Sequence, residues 1–353
     1  MISNCLKRHQ PGFINLLEHF SKNFSTASKH HEFDNFHAYT FPKKQKLNCF
    51  VAMKNTHMIK LAVAIQSILE RFGNNVYFDK SVVDGLEDCN YKPDKSKPPV
   101  SQSSFVPFEF HHEKEIDLAI TIGGDGTILW AAQKFKNRTM PPLFAINRGR
   151  IGYMCNFALP EFEAQLVDVL TKISKGETVL LEYYPRLQCT IKNDPYLIPK
   201  KYIAVNEFMV DRGASSRILK AEIKLNQGVP LFSFEGDGIL ISTPLGSTAY
   251  NLSSGGPIVY PHIPAMTIVP MAPKFASRGP VVLPIDFEIE IDIKADSKVY
   301  GWIASDGENR IELHRSSQLL IKRSDYDVPF IIGNYDSPLA RWRAKTKFIL
   351  ERD

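Results

Sequence analysis

No two cysteines of this chain stand in a CxxC spacing, no HExxH motif occurs, and no apolar run approaches the ~18–20 residues that span a bilayer. The five cysteines, Cys5, Cys49, Cys89, Cys155 and Cys189, are scattered and odd in number, which argues against a disulfide framework and a zinc site. They read as thiols kept reduced. Of the histidines, His30–His31 and His111–His112 are adjacent pairs, whose side chains diverge on a strand or helix and do not readily share one ion. No metal held by protein side chains is expected. A Walker A loop (GxxxxGKS/T) and a GxGxxG fingerprint are missing as well, so the two commonest nucleotide-loop explanations fail. The net charge of +5 is spread over scattered lysines, not gathered in a stripe. Neither a nucleic acid nor a membrane is expected as partner, whereas a small polyanion fits easily.

What is present is a globular composition: 353 residues, 44% of them hydrophobic, is enough for about two domains. The first 30 residues differ from the rest. Lys7, Arg8, Lys22 and Lys29 face a single acid, Glu18, and Phe13, Ile14, Leu16, Leu17 and Phe20 fall near one helical face. With the serines of "NFSTAS" this reads as a transit peptide to the mitochondrial matrix; an extension outside the fold of a cytoplasmic protein is the alternative. Truncation before about Lys43 is expected to leave the catalytic fold intact.

From Leu47 onward strands and helices alternate. "LNCFVAMK", "NVYFDK", "EIDLAITI" and "PPLFAINR" read as strands, with "MIKLAVAIQSILERFG" and "TILWAAQKF" as helices. That pattern predicts a Rossmann-like, doubly wound α/β domain over 44–159, with ligands at the carboxyl ends of its strands. "NYKPDKSKPPVSQSS" is a loop by composition. After the helix "EFEAQLVDVLTKISKG" the texture becomes short strands and turns, predicting a β-rich, sandwich-like domain over 160–323. Residues 1–43 form the extension, and 324–353 a closing segment and terminal helix that packs back on the α/β domain.

Three stretches carry chemistry. "TIGGDGTILW" ends a predicted strand and opens a helix. Glycines at such a point let backbone N–H groups approach phosphate oxygens, while Asp125 must bind a metal, a proton or a hydroxyl; a plain sharp turn explains the same residues equally well. "EGDGILISTPLGSTAYNLSSGGPI" repeats Gly–Asp–Gly ahead of a loop dense in hydroxyls and amides, which suits a ligand rich in oxygens. "VNEFMVDRG" sets an amide, Asn206, beside a carboxylate, Glu207, for a base edge and sugar hydroxyls.

In their order and spacing these three stretches resemble the NAD kinase family, over roughly Leu47 to Asp306. GGDG alone is shared with lipid and sugar-phosphate kinases; the long GDG…STPLGSTAY…GGPI block is specific. The resemblance implies ATP as donor, carrying Mg²⁺ on its phosphates, and transfer of the γ-phosphoryl group to the 2′-hydroxyl of the adenosine ribose of NAD, with NADH as a further acceptor. It implies that Asp125 is catalytic and that Gly123, Gly124, Gly126 and Thr127 bind the donor phosphates. Tyr153 would lie near the adenosine, and Asn206 and Glu207 would bind adenine and ribose. Asp237, Leu245, Thr248, Ala249, Tyr250 and Ser253 would complete the dinucleotide pocket. A homodimer or homotetramer is implied too.

The pattern departs at Leu245, where a threonine is usual, at Lys274, where a histidine is usual, and at Gly279, where the usual arginine is displaced to Arg278. An isobutyl group and an added cation would disfavour the positive ring of NAD, so NADH is expected to be accepted unusually well. The rival readings are a lipid kinase sharing GGDGT and a dinucleotide-binding protein without activity.

Overall fold

The structure, a computed structural model, describes residues 36–53, 58–80, 82–84, 106–148, 152–197, 201–275 and 279–333, with residues 342, 346 and 347. The expected leader, the loop at 90–104, Cys5, Cys89, Arg150, Arg278 and most of the expected terminal helix lie outside the described residues.

The chain begins with β1 (Phe36–Tyr39), β2 (Asn48–Met53), helix α1 (Ile59–Arg71), β3 (Asn75–Phe78), β4 (Val106–Pro107) and β5 (Leu118–Gly123). Helix α2 (Asp125–Lys134), β6 (Leu143–Asn147), β7 (Phe157–Ala158), α3 (Phe162–Lys175) and β8 (Val179–Tyr184) follow. Then come β9 (Leu187–Lys192), β10 (Lys201–Ala204), β11 (Glu207–Asp211), β12 (Leu219–Leu225), β13 (Val229–Gly236) and β14 (Gly238–Ser242). The last strands are β15 (Ala265–Met271), β16 (Val281–Pro284), β17 (Ile289–Ile293), β18 (Gly301–Ser305), β19 (Glu308–Leu313), β20 (Gln318–Arg323) and β21 (Val328–Ile331).

Two compact units result, and the chain passes between them at Pro185–Arg186 and at Ser324–Asp325. The α/β unit holds one sheet in the order β1, β8, β21, β6, β5, β2, β3, β4, with β7 on β6. Strands β2 to β7 are parallel neighbours, and all six residues of β5 are buried, as a strand covered on both faces requires. The β unit holds two six-stranded sheets, β10-β9-β20-β17-β12-β13 and β16-β15-β14-β11-β18-β19. Every pairing in them is antiparallel. Strict alternation in β12 and β17 sends Leu219, Ala221, Ile223, Ile289 and Ile291 into a common core.

Two boundaries differ from the sequence-based expectation. The first unit ends at Pro185 and not at 159, because α3 is followed by β8, which pairs antiparallel with β1 and β21. The segment up to residue 43 is not all extension: Tyr39 stacks edge-on against Phe41, and Phe41 is buried in the α/β core. Strand β21 rejoins the sheet of the α/β unit, parallel to β6. Cys49, Cys155 and Cys189 are buried and form no disulfide.

Truncations that start at residue 36 and at residue 44 are therefore expected to behave differently. The longer deletion removes β1 and Phe41, and losing a buried phenylalanine alone costs about 3–5 kcal/mol. Its Tm should be lower by at least ~6 °C in a calorimetric comparison.

Candidate functional site

In the α/β unit, the carboxyl end of β5 delivers Gly123 beside Asn147, its register partner on β6. The glycines that follow have different causes. A Cβ on Gly123 would lie 2.2 Å from Thr127 Oγ1, so this glycine is required by the packing of the first helical turn. A Cβ on Gly124 or Gly126 would meet nothing within 4 Å. There the bare backbone at the start of α2 lies open, the geometry in which helix N-termini receive anions.

Asp125 opens α2, and its carboxylate accepts two backbone N–H groups, from Tyr153 to Oδ2 at 2.8 Å and from Met154 to Oδ1 at 2.9 Å. The Gly-Tyr-Met segment can fold onto it because Gly152 has no side chain: a Cβ there would lie 2.9 Å from Asp125 Oδ1. Two of the expected ligand contacts are turned inward. Thr127 is buried with its hydroxyl against Gly123, and the Tyr153 side chain is buried too. Arg148 is exposed, its backbone N–H bonded to Gly123 O. Asn147 was not singled out from sequence; its Oδ1 is buried without a hydrogen-bond partner at the end of β6. Its one sequence signal is its place at a parallel strand's carboxyl end.

In the β unit the run "KKYIAVNEFMVD" forms two strands. The chain leaves one sheet with β10, bends through Val205 and Asn206, and enters the other sheet as β11. The bend is held by Asp306, whose carboxylate accepts the N–H groups of Val205 at 2.9 Å, Asn206 at 2.7 Å and Glu207 at 3.2 Å. Asp306 itself stands at φ +50° in the turn to β19 and donates its N–H to Glu207 O. From the other side Thr243 donates its hydroxyl to Val205 O and its N–H to Asn206 O. Gly246 lies directly on Asn206, where a Cβ would come within 2.3 Å of the carbonyl oxygen.

With the backbone so occupied, Asn206 Oδ1 and Glu207 Oε2 remain buried without partners. Buried polar atoms are seldom left so, and these two oxygens keep the capacity to accept hydrogen bonds. Burial, and then the charge of Asp306, push the Glu207 carboxyl up to about 8.

The loop after β14 spends most of its hydroxyls on itself. Ser247 Oγ bonds Pro244 O and accepts from Val259 N–H; Asn251 donates to Ser247 O and Pro257 O and accepts from Thr267. Of the expected pocket residues, Tyr250 and Ser253 are exposed and Thr248 and Ala249 half-buried. Leu245 is buried, so its side chain packs within the protein and does not line a surface in this structure.

The second Gly–Asp–Gly is another crossing between sheets, from β13 to β14. Gly236 and Gly238 would place a Cβ 2.8 Å from Ala272 O and 2.6 Å from Val210 O. Asp237 between them is paired with Arg212, Nε to Oδ1 at 2.7 Å and Nη2 to Oδ2 at 3.3 Å. Lys274 is paired as well, 2.9 Å from Glu235 Oε2, and the lysine holds that carboxyl below its ordinary range. The uncompensated cation expected at this position is thus matched by a carboxylate.

The comparisons with known proteins agree with this division of residues. Residues 46–177 match the family model of the ATP-NAD kinase N-terminal domain, and residues 205–332 that of the ATP-NAD kinase C-terminal domain. An NAD kinase of Bacteroides fragilis is 33% identical over 220 residues, covering 62% of this chain and 71% of the relative. An ATP-NADH kinase of Saccharomyces cerevisiae is 31% identical over 234 residues, 62% of this chain. This chain spans 46% of that yeast relative's length, so about half of it has no counterpart in the match. Among solved structures, a yeast NADH kinase complexed with NADH superposes with a TM-score of 0.75 at 22% identity, covering 89% of this chain and 93% of that one. The chain belongs to the NAD kinase family.

Glycine substitutions separate the two kinds of glycine. Gly246→Ala forces a methyl group into the Asn206 backbone and is expected to cost about 1–3 kcal/mol or more. Gly124→Ala meets no atom and should stay within about 0.5 kcal/mol of the parent. Denaturant midpoints measured on both variants check the contrast.

Proposed function

We propose that the protein transfers the γ-phosphoryl group of ATP to the 2′-hydroxyl of the adenosine ribose of NAD or NADH, forming NADP or NADPH. Family membership across both units is the observation that carries this reading. A lipid kinase sharing only GGDGT does not account for the match over residues 205–332, nor for two buried acceptor oxygens on adjacent residues. An inactive dinucleotide-binding protein drew its support from Leu245, Lys274 and Gly279. Lys274 is ion-paired, and Gly279 has nothing within 4 Å that a Cβ would meet.

We assign the donor phosphates to the open backbone at Gly124 and Gly126, next to the start of α2. No protein atom lies within 4 Å of a Cβ placed at either glycine, so phosphate oxygens can approach the backbone; Mg²⁺ usually travels on such oxygens and neutralises their charge. Phosphoryl transfer has a loose transition state, so catalysis is mainly positioning and charge neutralisation. Asp125 is fixed by two N–H donors before any ligand arrives, and the role we assign to it is to orient the attacking hydroxyl and accept its proton late. Asn206 and Glu207 offer their partnerless oxygens to the adenosine portion, and we assign Tyr250, Thr248, Ala249 and Ser253, which are exposed or half-buried, to the same dinucleotide. Asp237 contributes as a carboxylate already bridged by Arg212.

The same reading includes a homodimer or homotetramer, to be checked by light scattering. It also includes a leader to the mitochondrial matrix in the basic, serine-containing first 30 residues, to be checked by fusing them to a fluorescent reporter.

Incubation with ATP, Mg²⁺ and NAD or NADH should yield NADP or NADPH; a protein that forms neither refutes the proposal. Asp125→Asn is expected to lower kcat by about 10²–10⁴-fold with little change in dinucleotide affinity. A variant that keeps more than half of the parent's kcat removes Asp125 from the chemistry. Gly124→Ala should raise KM for ATP while the folded state is unaffected.

A further inference from the structure

Two carboxyl groups stand together where the chain enters β11. That of Asp306 receives three backbone N–H groups. That of Glu207, only 7% exposed, leaves Oε2 with no donor at all. Strand β14 sets Ser242 opposite Glu207, and the loop over Asn206 brings Thr243 and Gly246, all uncharged. Among the described residues of this unit, the charge that acts on Glu207 is that of Asp306.

Neighbouring buried carboxylates do not both ionise cheaply, and the proton goes to the member with fewer donors. Asp306 accepts three N–H groups, which favour its ionised form. Glu207 takes the proton, in keeping with a carboxyl pushed up to about 8. A hydroxyl that donates to Oε2 supplies the ionised form with the donor it lacks.

We propose that Asp306 is a positioning residue that stores a proton on Glu207, and that ribose hydroxyls of the bound dinucleotide displace this proton. The only bond that breaks is the Glu207 O–H: its proton passes to water or buffer, its electron pair stays on the carboxylate, and the carboxylate then accepts a hydrogen bond from the ligand's O–H. The proposal rests on the dinucleotide-kinase reading above.

The test is isothermal titration calorimetry of the full chain with NAD at pH 7, in buffers of different ionisation enthalpy. Close to one proton should be released per NAD bound, and Kd should fall by up to ~10-fold per pH unit between about pH 5 and 8. Glu207→Gln should abolish the release. Asp306→Asn should reduce it, because Glu207 without the neighbouring charge is already ionised in larger part.

A second readout needs no ligand. Because the folded protein holds this proton up to about pH 8 and the unfolded chain loses it near 4.5, the stability tied to it is greatest at low pH and is lost as pH rises. The Tm of the parent should therefore fall relative to Glu207→Gln between about pH 5 and 8. NAD binding without proton exchange, or a pH-independent Tm difference, overturns the proposal and leaves the kinase reading standing. Failure to bind either NAD or NADH overturns both. Proton-linked binding by a protein that forms neither NADP nor NADPH sinks the kinase reading alone.

Discussion

Three successive backbone N–H groups converge on the carboxylate of Asp306, and the form of the β unit's candidate site follows from that contact. Residues 205 to 207 change sheets there, so their N–H groups point away from any strand ladder and need an acceptor that is not a strand. One aspartate in the β18–β19 turn serves all three. The carbonyls on the same bend are taken by Thr243, and the remaining space is closed by Gly246. What is left over is side-chain capacity: one oxygen of Asn206 and one of Glu207.

The α/β unit uses a similar device at Asp125. Its carboxylate binds the N–H groups of Tyr153 and Met154 and so fixes the segment after β6 against the start of α2. An acid held by backbone donors has little freedom to reorient, which suits a group whose task is to position a nucleophile. In both units an acid of the candidate site, Asp125 or Asp306, is held by main-chain donors. Asp237 is bridged by Arg212, and Glu235 is matched by Lys274; those two pairs are partly exposed and contribute little, since exposed ion pairs are screened by solvent.

The glycines divide by cause as well. Gly123, Gly236, Gly238 and Gly246 are demanded by protein atoms that a Cβ would strike, whereas Gly124 and Gly126 face open space. Motif conservation cannot separate these two kinds. Within a single four-residue signature, one glycine belongs to the packing of a helix and the next two to the space above it.

By itself the sequence determined the class of fold, the order of the α/β and β-rich parts, the strand end that carries Asp125 and the family. Each of these is written in local patterns: buried apolar runs, alternation, and turn chemistry at fixed spacing. Other features depended on contacts between residues distant in the chain. Asp306 is about 100 residues from the bend it holds, and β8 pairs with β1 and β21, both far from it in sequence. The runs "KKYIAVNEFMVD" and "VPLFSFEGDGILISTP" each change sheet partway along, and alternation does not record such a change. The hydroxyls of the "STPLGSTAY" loop looked available to a ligand, and only the fold showed Ser247 and Asn251 spent on holding the loop itself. Residue type fixes which hydrogen bonds a side chain is able to make; tertiary structure decides which are already made, and so which remain for a substrate.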